Sequence, residues 1–187
     1  MMVKRTNIDA TIEFLNLIGI ATSRVDKAEG FLSGVRIEEG NLLVDPTCHV
    51  SDLLHEAGHV AIFPSRYRRL MTGNIEKAQR LMLDDVWSQN LHPDDPLSRA
   101  AMQSSDVEAT AWAWAAGVHL SIEPCEIIMS RSTHYEGNGP IIRTMLSMGQ
   151  YAGIHGLAHA GFCAVNKRVS AHSGKPLYPE LAMWKQY

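Results

Sequence analysis

His55-Glu56-Ala57-Gly58-His59 sets two imidazoles four positions apart with a carboxylate between them. On an α-helix, positions i and i+4 share a face, one turn above each other. Two imidazoles so placed can grip one metal ion, while the intervening Glu56 reaches a water on it. The chemistry open to such a trio is activation of water: the metal lowers its pKa and the glutamate removes its proton.

This spacing is the HExxH pattern of zinc hydrolases, and it requires a helix. The flanking residues supply one. Gly40 to Asp45 read as a strand leaving a Glu39-Gly40-Asn41 turn, with Phe31 to Ile37 as the antiparallel partner. Asp45-Pro46 offers an N-cap followed by proline at the first helical position, with Ser51 as a later start. Val50, Leu53, Leu54, Ala57, Val60 and Ala61 then give an apolar helical stripe, closed before Pro64 at Phe63. Small Ala57 and Gly58 leave room for another element to pack against the metal helix.

A catalytic zinc site takes three protein ligands and keeps one position for water or substrate. The downstream segment Ser105-Asp106-Val107-Glu108-Ala109-Thr110-Ala111-Trp112-Ala113 reads as a helix whose apolar face carries Ala109, Trp112, Ala113 and Ala116. Glu108 at the edge of that face is the expected third ligand, since a buried carboxylate needs a partner. Asp106 is the competing ligand. Ser105-x-x-Glu108 is also a capping box, which would give Glu108 a purely structural task.

HEAGH followed some fifty residues later by Glu108-Ala109-x-x-Trp112-Ala113 resembles the ImmA/IrrE-type zinc metallopeptidases. The resemblance spans about residues 30 to 120. It implies a zinc ion held by His55, His59 and Glu108, with Glu56 as catalytic base. Trp112 stands where a phenylalanine is usual, and no helix-turn-helix appendage of the kind some relatives carry is evident.

Length and composition suit a globular chain: 187 residues, 45% hydrophobic and 20% charged. A net charge of −3 argues against general binding to nucleic acid or anionic membrane. Asp9 and Glu13 interrupt the N-terminal apolar run, so Ile8, Ile12, Phe14, Leu15 and Ile18 read as an amphipathic helix and not a signal core. With no membrane span in view, cytoplasm is the expected compartment. Cys48, Cys125 and Cys163 are too few and too scattered for a disulfide framework. Cys48 reads as a packing residue, with a place on the metal as the alternative.

Asn74 is expected to cap a helix lined by Ile75, Ala78, Met82 and Val86, and Asp95-Pro96 to start another. Arg66, Arg68 and Arg69 read as a solvated loop, with steering of an acidic substrate as the alternative. His155 and His159 repeat the four-residue spacing without a glutamate between them. Glycines 149, 153 and 156 point to a tightly packed helix with both histidines in the core or cleft, a second metal being the rival reading. His134, Tyr135 and Tyr151 are candidates to stabilise an oxyanion or touch substrate. Residues 178–184 are expected to fold back as a short helix.

The expected fold is α+β: a mainly helical, zincin-like metalloprotease domain over residues 1–187 with a small antiparallel sheet before the HExxH helix. Within it, 1–30 supply an N-terminal helix, 31–120 the metal-binding core and 121–187 a helical C-terminal part. The expected function is zinc-dependent hydrolysis of a peptide bond in an intracellular protein or peptide, a regulatory protein among the conceivable substrates. Two rivals stand beside it. One is a non-catalytic zinc-binding interaction module, and the other a hydrolase of a non-peptide amide or ester.

Overall fold

Glu39 and Gly40 both take positive φ, 50° and 76°, as a two-residue type I′ turn requires, and they join the strands of a hairpin. The computed structural model describes residues 6–130, 135 and 137–187. The hairpin pairs β2 (Val35–Glu38) with β3 (Asn41–Val44), Glu38 opposite Asn41 and Val35 opposite Val44. β1 (Thr22–Arg24) adds to the other side of β3 in parallel, so the order is β1-β3-β2 and the sheet is mixed, not antiparallel throughout. The second strand begins at Val35, four residues later than the apolar run suggests. Glu29 bridges Ser33 instead, which turns Phe31 out at the tip of a tight loop.

The rest of the fold is helical. α1 (Asn7–Leu17) begins at a Thr6/Asp9 capping box and buries Thr11, Phe14 and Leu15. α2 (Val50–Ile62) carries the HExxH motif and is buried along its whole length. Its cap is His49, not Asp45. Asp45 accepts the Ala28 N–H at 2.9 Å and the Thr47 N–H at 2.7 Å, so its carboxylate locks the connection ahead of the helix. The Thr47 hydroxyl, which donates to it first among these groups, holds it below the usual carboxylate range.

α3 (Ile75–Ser88) starts at Asn74, whose side chain accepts the Lys77 N–H, and turns Ala78, Met82 and Val86 inward. α4 (Pro96–Met102) starts from an Asp95 cap with proline in its first turn. α5 (Asp106–His119) is buried on every side from Glu108 to Gly117, the mark of a central helix. α6 (Pro124–Ile127), α7 (Gly139–Ser147), α8 (Ala152–His159) and α9 (Lys167–Ser173) complete the chain. Among the described residues no helix is long and apolar enough to cross a membrane.

The tail is an extended strap and not a helix. Its backbone N–H groups are committed elsewhere: Tyr178 donates to Ala164 O, Ala182 to Phe162 O and Gln186 to Ala61 O. The strap brings Trp184 edge-on to Phe14 at 5.1 Å and to Trp112 at 6.0 Å, and Trp112 Nε1 donates to the Trp184 carbonyl. Arg68 is structural as well. It donates to the carbonyls of Val60, Phe63 and Gln186, tying the end of α2 to the tail. Arg66 pairs with Asp85, so two of the three loop arginines have structural partners.

The tightest junction is between α2 and α5. A Cβ on Gly58 would lie 2.5 Å from the Ala109 carbonyl oxygen and 3.0 Å from the Ala109 Cα. Alanine in a helix interior ordinarily gains about 1 kcal/mol over glycine. Here the obstruction is backbone and cannot yield without parting the helices, and overpacking of that kind costs about 1–3 kcal/mol. Gly58→Ala is therefore expected to lower the urea unfolding midpoint. A midpoint equal to or above that of the wild type would contradict the close approach.

Candidate metal centre

Because α2 and α5 touch at Gly58 and Ala109, the first turn of α5 lies against the middle of α2. His55 Nε2 and His59 Nε2 are 3.1 Å apart. Asp106 Oδ1 is 3.1 Å from His59 Nε2 and 3.7 Å from His55 Nε2. Ligands about 2.0–2.1 Å from a tetrahedral ion stand about 3.3–3.4 Å apart, so the triangle has the right size. Among the described residues these three form the one group of His, Cys, Asp and Glu side chains that could hold a metal ion.

The chemistry of the donors also fits. Two imidazoles and a carboxylate are the set found in open zinc sites. The Thr110 hydroxyl lies 3.4 Å from His55 Nδ1. A proton on Nδ1 directed at Thr110 leaves the Nε2 lone pair free for a cation, the usual way an outer hydrogen bond fixes a ligating ring. His59 Nδ1 is buried without a hydrogen-bond partner, so the polar task of that ring falls to Nε2. The neighbouring imidazoles of His55 and His59 hold the Asp106 carboxyl far below its ordinary range.

The expected third ligand, Glu108, goes elsewhere. Its Oε2 accepts the Ser105 N–H at 3.1 Å and the Ser105 hydroxyl at 2.5 Å, completing the capping box. Two residues along a helix are about 200° of rotation. With Asp106 turned to α2, Glu108 is turned to α8, where a Cβ on Gly156 would overlap its carboxylate. A Cβ on Gly153 would likewise overlap the Val107 carbonyl, so the glycines of α8 do serve close packing.

His155 and His159 do not share that packing. Both are exposed, so of the core or cleft placement expected for them the core part does not hold, because the glycines occupy the face of α8 turned to α5. Neither belongs to a metal-holding group among the described residues. Cys48 is also outside the cluster. It donates to the His49 carbonyl, and burial pushes its thiol up to about 12, which disfavours the thiolate a metal requires.

Glu56 is 4% exposed, and burial pushes its carboxyl up to about 7, with Asp106 and Asp52 adding to the rise and His59 opposing it. Tyr135 is buried with its ring edge-on to His55, centroids 6.2 Å apart. Tyr151 is half-buried at the start of α8, and burial raises its hydroxyl pKa, with the carboxylates of Asp106 and Glu108 contributing. His134 lies outside the described residues. A cleft of about 550 Å³ opens over the motif, lined by His55, Glu56, His59 and Asp106 together with Phe31 and Ile75.

Thr110 and Phe31 carry no role in the sequence reading. The signal for Thr110 was its place four residues after Asp106, on the same face of α5. Comparisons with protein-family models, curated proteins and solved structures found no match to the chain.

The two carboxylates separate cleanly by mutation. Asp106→Ala is expected to weaken zinc binding by more than about tenfold in a chelator competition titration. Glu108→Gln keeps a residue that the capping box accepts and should leave both fold and zinc affinity as in the wild type. The reverse ranking would assign the third donor to Glu108.

Proposed function

We propose that the chain is a zinc-dependent hydrolase of zincin-like fold, most simply a metallopeptidase akin to the ImmA/IrrE type, acting on a peptide or protein. The observation that carries this reading is the convergence of His55, His59 and Asp106 beside Glu56 at the floor of an open cleft. Asp106 takes the place that the family resemblance gives to Glu108, two residues later in the same helix.

A divalent zinc ion held by these three side chains would supply acidity, lowering the pKa of a water and polarising the carbonyl beside it. The residues do the rest. Buried Glu56, beside the three donors, can accept a proton from that water and release it to the departing amine nitrogen. As the new C–O bond forms and the C–N bond breaks, that one proton passes from water to amine. Thr110 keeps the His55 ring in register. Tyr135, edge-on to His55, and half-buried Tyr151 at the start of α8 are the candidates to donate to a developing oxyanion.

Three protein donors favour catalysis over a closed structural site, which would need a fourth. The cleft volume lies within the range of ligand-binding pockets, and its walls come from separate segments, as suits an extended chain. The same chemistry would serve a non-peptide amide or ester, and cleavage of a peptide library distinguishes the two.

Glu56→Gln should bind zinc as the wild type does while its cleavage rate falls by about 10²–10⁴. Turnover of the zinc-loaded variant at the wild-type rate, followed by mass spectrometry of the peptide products, would remove Glu56 from the role of base.

A further inference from the structure

Phe31 is 85% exposed, although the chain holds it there firmly. It sits at the tip of the turn closed by the Glu29–Ser33 bridge. On one side Ala28 donates to Asp45, and on the other Asp45 N–H donates to the Gly34 carbonyl. The neighbouring Leu32 is buried, and a Cβ on Gly34 would meet the Cys48 backbone at 2.5 Å. A turn clamped at both ends and pinned by Leu32 has little freedom to fold Phe31 away.

Single exposed apolar side chains are ordinary on protein surfaces. Phe31 differs in its position. It lines the same cleft as His55, Glu56, His59 and Asp106, and the half-buried Ile75 at the start of α3 lines that cleft with it. An aromatic ring held in water at the mouth of a polar site gains when an apolar group covers it.

We infer that Phe31, with Ile75, forms the specificity-determining subsite of the cleft and takes an apolar side chain of the substrate next to the bond that is cut. This rests on the metal-hydrolase reading. Phe31 acts on substrate choice and not on the reacting atoms, so its loss alters selectivity without touching the metal.

Calorimetric titration of the zinc-loaded protein with two hydroxamic acids tests it without turnover. Acetohydroxamic acid reports on the metal alone, and 3-phenylpropanohydroxamic acid adds an apolar arm. The wild type should prefer the phenyl compound by roughly tenfold or more, the size expected for burying a ring. Phe31→Ser should shrink that preference to roughly twofold with acetohydroxamic acid affinity unchanged, and Phe31→Leu should restore most of it. Equal binding of both compounds by the wild type, or a preference that survives in Phe31→Ser, would overturn the subsite. Failure of both compounds to bind zinc-loaded protein would overturn the metal-hydrolase reading, and the subsite with it.

Discussion

Two helices meeting backbone to backbone at Gly58 and Ala109 are the constraint on which the site depends. Any side chain at residue 58 would push α5 away from α2, and Asp106 would move with it. Three donors whose mutual distances run from 3.1 to 3.7 Å leave little slack, because a metal site tolerates only a few tenths of an ångström. A glycine in the middle of a motif helix costs intrinsic helix stability. What it provides is the distance between two secondary-structure elements fifty residues apart in sequence.

Around that contact the fold resembles a set of braces. The glycines of α8 press on the other side of α5, the Trp184 strap crosses α1 and α5, and Arg68 joins the end of α2 to the tail. α5, α1, α6 and the β2–β3 hairpin pack on α2 itself and bury it completely, although it carries Asp52, His55, Glu56 and His59. Burying such groups is unfavourable unless they are paired or bind a ligand. The same burial that costs stability pushes the Glu56 carboxyl up to about 7 and holds it beside the candidate donors. Packing and proposed reactivity thus share one origin.

The motif helix α2 was legible in sequence because its signal is local: spacing, stripe and the terminating proline all lie within fifteen residues. The hairpin turn and the Asn74 and Asp95 caps were legible for the same reason. The third donor was not, since choosing between Asp106 and Glu108 requires knowing which way α5 is rotated. Periodicity cannot orient α5, because the helix is buried on all sides from Glu108 to Gly117. The Ser105-x-x-Glu108 capping box was the local clue, because it draws Glu108 back onto the start of its own helix and away from α2. The parallel β1, the strap and the exposure of His155 and His159 were not legible, because each depends on partners far along the chain. The family resemblance rests on residues 30 to 120, and the position of the third donor is where the site departs from it.

A crystal structure of the zinc-loaded protein, with diffraction recorded at the zinc absorption edge, bears most directly on the central claim. One anomalous peak is expected, within about 2.0–2.2 Å of His55 Nε2, His59 Nε2 and an Asp106 oxygen, with the fourth position filled by a non-protein oxygen. A peak bound to Glu108, one closed by a fourth protein ligand, or no peak at the motif would contradict it.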